Sequence, residues 1–361
     1  MGPAKSSSMA HKRFRLERNG YYHCMSKTLN GEFLLGDVEK EKFVELMRSM
    51  EAFAGVTIIT FVVMCNHFHI LLAENERIEL SDEEMLARLR AFYGPRSETY
   101  LVAELYLRGL QEHELHGAIA EFHERYQQRM NNVSEFLKTL KQRFTQWYNQ
   151  RNDRSGTVWN QRFKSVVVQS RGSKALSQMA AYIDLNPLRA HMVKDPKDYR
   201  WSGYGEAVVG QAQARAGFER LYTADGTLAL GSGKLDEVRW QEIGKRYRMQ
   251  IYERGVAKSD RYGNAVRAGF SREEIRAVLK CGGSLPWDGL AKCRVRYFTE
   301  GVMIGAAYFI DLHEERIRKH LGLRCKRAAK RVREFAGEFY VFRRYWKSQV
   351  SAPEPPPARP D

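Results

Sequence analysis

Phe61-Val-Val-Met-Cys-Asn-His-Phe-His-Ile-Leu-Leu72 is an apolar run interrupted once, by Cys65-Asn66. Such a pair suits a turn, so the stretch reads as two strands of a hairpin. In the second strand, residues 67–72, side chains alternate between faces. His67 and His69 therefore leave one face, and Phe68 and Ile70 the other. Two imidazoles at this spacing stand close enough to hold one metal ion. Two half-buried structural histidines satisfied by hydrogen bonds are the other reading. A metal site needs partners from elsewhere in the chain.

Upstream, Gly20–Ser26 has strand character and Lys27–Gly36 is turn-rich. Asp37 sits at the N-cap position of a helix whose Phe43, Leu46, Met47, Met50 and Phe53 recur at helical spacing. Gly55 stops that helix, and Val56–Met64 is a strand rich in β-branched residues. The order strand, helix, strand, strand predicts an α+β layer, an antiparallel sheet with helices on one face.

Downstream, residues 75–130 carry no strand pattern. Ser81-Asp-Glu-Glu84 is a capped, acidic helix start, and Glu98–Arg108 and Glu112–Met130 are helix-like. The segment reads as a helical insertion, a solvated lid without chemistry. Asn132–Arg151 is amphipathic. Its cationic side, with Lys141 and Arg143, suits either a phosphate backbone or plain solvation. In Gly156–Ser165, Trp159, Arg162, Phe163 and Lys164 interleave stacking surfaces with phosphate binders, although Trp159 and Phe163 serve equally well as core. A helix over Ser173–Leu185 ends near Asn186-Pro187, with Tyr182 and Asn186 four residues apart on one face.

The aromatic turn Asp198–Tyr204 closes a first domain, taken as 13–209. Gly210–Gly233 is Gly- and Ala-rich and reads as a linker, 210–234, with some helix in it. Residues 235–348 form a C-terminal helical unit, with helices expected at Leu235–Glu253, Ser271–Leu279 and Thr299–Leu321. Its last part is intensely basic, and Arg324, Lys326, Arg327, Lys330 and Arg331 are expected to contact nucleic acid. The ends, 1–12 (basic) and 349–361 (proline-rich), are expected to be disordered.

Composition narrows the classes. The chain has 361 residues, enough for two domains, and its net charge of +16 draws polyanions, of which nucleic acid is the commonest. No long apolar span or signal peptide appears, which points to the cytoplasm. Cys24, Cys65, Cys281, Cys293 and Cys325 form no Cys-x-x-Cys pair and suit neither a zinc finger nor a disulfide framework.

On a basic protein, an ion held by His67 and His69 would polarise a phosphodiester. Tyrosine suits the nucleophile's role, because its phosphate ester stays open to attack by another hydroxyl. A helix setting Tyr182 over the ion, with Asn186 one turn on as an oxygen ligand, would complete the site. Two imidazoles and an amide suit Mn²⁺ at least as well as Mg²⁺, and zinc is possible on ligand grounds alone.

Met64-Cys-Asn-His-Phe-His-Ile-Leu-Leu72 resembles the His-hydrophobe-His signature of the HUH endonucleases with a single catalytic tyrosine. With Gly156–Ser165, Tyr182-Ile-Asp-Leu-Asn-Pro-Leu-Arg-Ala190 and Trp201-Ser-Gly-Tyr204, the set resembles the REP-associated tyrosine transposases over roughly residues 10–205. Cys65 departs from that pattern, where proline is common. Arg296–Gly305 is similar to a segment of longer members. The resemblance implies a ferredoxin-like sheet, with metal ligands His67, His69 and Asn186 and nucleophile Tyr182, which becomes joined to a DNA 5′ phosphate. It implies a single-stranded DNA substrate with palindromic hairpin repeats, and a monomer or homodimer. A hairpin-binding regulator without chemistry and a zinc hydrolase of small substrates are the competing readings.

Overall fold

The computed structural model describes residues 14–16, 20–229, 236–253, 258–259, 265–267, 299, 301–322, 329–331 and 340–343. The expected disordered ends, the helix at Ser271–Leu279, and Arg324, Lys326 and Arg327 lie outside the described residues.

The chain runs through β1 (Tyr21–Lys27), α1 (Asp37–Ala54), β2 (Val56–Val63) and β3 (His67–Glu74). Helices α2 (Asp82–Tyr93), α3 (Glu98–Glu112) and α4 (His116–Gln127) follow, then α5 (Val133–Arg151) and β4 (Lys164–Val168). With α2–α4 set aside, the order is βαββαβ, and the strands lie in the spatial order β2-β3-β1-β4, all neighbours antiparallel. That is the ferredoxin-like arrangement implied by the motif resemblance. Local signals carry it. Gly55 takes φ 61° to end α1, and Ser81 and Glu84 form a reciprocal capping box on α2. Asn132 accepts from two backbone amides at the start of α5. Helix α1 begins at Asp37 itself, with Gly36 before it as the cap.

The pleat sorts two cores. Phe68, Ile70 and Leu72 face α1 and α5, where Phe43, Met47, Phe136, Leu140 and Phe144 are buried. Leu71 and Ala73 share the other face with Leu176, Met179 and Tyr182. Helices thus cover both faces of the sheet rather than one. The insertion α2–α4 is more than a solvated lid, since Met85, Leu89, Phe92, Tyr100, Leu107 and Phe122 extend the core beyond α1.

The rest of the α6 face is built by α6 (Ala175–Asp184), α7 (Asn186–Arg189), α8 (Gly203–Val208), α9 (Ala212–Ala224) and α10 (Glu237–Glu253). Helix α9 occupies the stretch read as a linker. Its small residues serve close approach, for a Cβ at Gly217 would meet the Ile58 and Ile59 carbonyl oxygens at 2.3 and 2.7 Å. Trp240, Ile243, Tyr247 and Ile251 of α10 join the same buried cluster, so this helix packs with the first 209 residues rather than apart from them. A small ribbon follows, β5 (Lys258–Ser259) with β6 (Ala265–Arg267). The stretch expected as one helix from Thr299 contains β7 (Gly301–Gly305) and then α11 (Ala307–Leu321). Strand β7 runs parallel to β4, and β9 (Tyr340–Arg343) and β8 (Lys330–Arg331) extend the sheet to the order β2-β3-β1-β4-β7-β9-β8. The consecutive apolar Val302, Met303 and Ile304 suit a strand with two covered faces as well as a helical stripe, and tertiary pairing decides between them.

Candidate functional site

Strand register builds the site. Val62, His69, Met25 and Lys164 lie opposite one another across β2, β3, β1 and β4, so their side chains leave the same face. Lys27 is likewise opposite His67, and His23 is opposite Leu71. This face is the one that α6 covers.

The His67 and His69 rings stand 5.2 Å apart, centroid to centroid, at 86°. The Tyr182 ring is 5.8 Å from His69 and 6.1 Å from His23, edge-on to both. The three residues that the sequence assigned to ligand and nucleophile roles on β3 and α6 therefore adjoin within one chain. Asn186 begins α7, and its amide nitrogen donates to the carbonyls of Tyr182 and Ile183 at 3.0 Å each. That use of the nitrogen leaves the amide oxygen as its remaining acceptor. Pro187 follows at the start of α7, where its missing N–H costs nothing.

Each histidine is fixed through Nδ1. His67 Nδ1 lies 2.7 Å from Asn66 Oδ1, while the Asn66 amide nitrogen donates to the Gly31 carbonyl at 3.0 Å. The amide is thereby oriented, and His67 is the donor. His69 Nδ1 lies 2.8 Å from Nε2 of His23. Among the described residues neither Nε2 has a hydrogen-bond partner. Burial pushes His67 down to about 4, helped by the Lys27 ammonium, and lowers His69 well below the ordinary imidazole value. Both rings are neutral at pH 7 and keep a lone pair for an electrophile. This donor set fits a divalent cation. Among the described residues no three His, Cys, Asp or Glu side chains converge as metal ligands, so a third ligand drawn from those residues would be of another type, as an amide or phenol oxygen is.

Burial raises the Tyr182 phenol above its ordinary value, and the Arg189 guanidinium acts in the opposite direction. Arg189 lies 5.0 Å from the Tyr182 ring centroid and donates to the Tyr182 carbonyl at 2.9 Å. Two residues after the phenol, about half a helical turn on, Asp184 is wholly buried. It accepts from Thr60 Oγ1 at 2.8 Å and from the Tyr247 hydroxyl, tying α6 to β2 and α10. Burial pushes its carboxyl up to about 7. Trp201-Ser-Gly-Tyr204 presses on β2 from the same side, and a Cβ at Gly203 would meet Thr60 Oγ1 at 2.4 Å.

A solved structure of a REP-associated tyrosine transposase bound to a REP hairpin is similar to this chain. The identity is 14%, the match covers 63% of this chain and 99% of that one, and the TM-score is 0.36. No family model and no curated protein matches the chain.

The expected DNA contacts divide. Arg162 and Lys164 are exposed, with Lys164 in the row of His69. Arg331 is exposed on β8. Lys330 pairs with β9 through its backbone. Trp159 and Phe163 are 4% and 5% exposed, core residues rather than stacking platforms: Trp159 packs against Phe43, Phe68 and Phe144. Arg143 lies on the Phe92 ring and donates to the Phe92 carbonyl at 3.0 Å, so it fastens the insertion. Lys141 donates to the Gln161 carbonyl at 2.7 Å. Sequence reading missed His23, Lys27 and Arg189. Alternation along Tyr21–Lys27 puts the first two on one face, but their nearness to His69 and His67 depends on a pairing register no local pattern reveals. Among the described residues no helix is long and apolar enough to cross a membrane.

Proposed function

We propose that the protein is a metal-dependent, single-strand-specific DNA endonuclease and strand transferase acting through Tyr182. One observation carries the reading: the Tyr182 ring lies 5.8 Å from His69, one of two neutral imidazoles that keep Nε2 available. The net charge of +16 and the motif resemblance supply the substrate class, DNA with hairpin repeats.

His67, His69 and Asn186 would hold the ion, Mn²⁺ or Mg²⁺. When bound, it would balance the negative charge that builds on the phosphate in the transition state. The Tyr182 oxygen attacks phosphorus, a bond to the 5′ phosphate forms, and the bond to the 3′ oxygen breaks. The phenol proton is lost, and the leaving 3′ oxygen takes one up. The ester conserves the energy of the broken linkage, so a second 3′ hydroxyl can reverse the step on a new strand. Arg189, beside the phenol, favours the phenolate, while Lys164 and Lys27 flank the histidines on the side where the backbone would run.

The test is a labelled hairpin oligonucleotide incubated with Mn²⁺ or Mg²⁺ and either wild type or Tyr182→Phe. A denaturation-resistant adduct is expected with the wild type alone. Equal cleavage by the Phe variant rejects the mechanism. Tight binding indifferent to chelator, with no product, instead favours a regulator that grips hairpins without cutting them.

A further inference from the structure

We propose that His23 is a positioning residue for the cation site, holding the His69 ring so that Nε2 is the atom offered to the ion. The inference rests on the metal-dependent reading above and adds a residue to it. His23 is 0% exposed on β1, the strand pinned between β3 and β4. Its Nε2 lies 2.8 Å from His69 Nδ1, with the rings 5.0 Å apart and 15° from parallel. That separation is close to the greatest a 2.8 Å nitrogen contact allows. The rings are therefore nearly coplanar and edge to edge, with the proton on the line between them.

A neutral imidazole can give Nε2 to a cation only with its proton on Nδ1, and a buried Nδ1–H needs an acceptor. His23 Nε2 is that acceptor for His69, as Asn66 Oδ1 is for His67. The two ring nitrogens point from different edges, so an ion at Nε2 of His69 lies away from His23. His23 thus acts through His69 and is not itself a ligand. Each expected ligand on β3 then has its own acceptor behind it, one from the preceding turn and one from the neighbouring strand.

The test follows the free-ion electron paramagnetic resonance signal of Mn²⁺ titrated with wild type, His23→Leu, His23→Gln and His69→Ala. Leucine removes the acceptor, and affinity should fall about 10- to 100-fold. The Gln side-chain carbonyl can take the same proton and should retain most of the affinity. Wild-type affinity in His23→Leu, beside loss in His69→Ala, overturns this inference and leaves the metal site standing. No Mn²⁺ binding by the wild type overturns both. Long-range ¹H–¹⁵N NMR of the metal-free wild type decides independently should the Leu variant not fold. His69 is expected with its proton on Nδ1, and finding it on Nε2 overturns the proposal.

Discussion

The two faces of one sheet both bury an apolar cluster but differ in what lies at the centre. Toward α1 and α5, the Phe43, Phe68, Phe144 and Trp159 rings interlock at centroid distances of 4.8 to 6.0 Å. Toward α6, the strands bury His23, Thr60 and His69 against Tyr182 and Asp184. Apolar burial stabilises at about 25 cal/mol per Å², whereas a buried polar group costs free energy unless it is hydrogen-bonded. Both clusters therefore supply stability, and the α6 face in addition holds the His69 imidazole and the Tyr182 phenol away from solvent.

The comparison can be broken from either side. Trp159→Ala opens a cavity among three phenylalanines and should cost about 3–5 kcal/mol in denaturant unfolding. A cost within the range of a surface substitution would return Trp159 to the role of stacking platform. On the opposite face, Asp184→Ala leaves the buried Thr60 and Tyr247 hydroxyls unpaired and should cost about 1–3 kcal/mol.

Asp184 also gives that face a pH signature. Its carboxyl is pushed up to about 7 from 3.8, so the folded state holds the proton more tightly than the unfolded chain. The resulting stability is complete below the unfolded value and is lost as pH rises through 7. Between pH 5 and pH 8 the melting temperature of the wild type should fall more than that of Asp184→Asn, which cannot ionise. Parallel profiles would contradict the assignment.

Much of this was legible in the chain. The hairpin at Cys65-Asn66, the sorting of His67 and His69 from Phe68 and Ile70, and the helix that carries Tyr182 each follow from a short-range pattern. What was not legible depends on pairing between distant segments. Gly217 looks like flexibility until Ile58 and Ile59 lie beneath it, the stretch around Ile304 looks helical until β4 pairs beside Met303 and Ile304, and His23 is one more strand residue until register sets it against His69. Trp159 and Phe163 show the same limit, since aromatic residues beside cations suit a core and a nucleotide platform equally.

Smaller effects sharpen the contrast. Gly217→Ala should destabilise by about 1–3 kcal/mol, because the added methyl meets strand carbonyls that cannot move aside. Lys164→Ala, exposed in the row of His69, should leave stability within about 0.5 kcal/mol. It should lower the slope of log affinity against log salt for a hairpin oligonucleotide by about 1. An unchanged slope would remove Lys164 from the DNA path.

The central claim is that Tyr182 and the histidine pair of the same chain form one reacting site. Mixing Tyr182→Phe protein with His67→Ala/His69→Ala protein and assaying the covalent DNA adduct tests it most directly. The account predicts an adduct from wild type and none from either variant or their mixture. An adduct restored in the mixture, or none from the wild type, would contradict it.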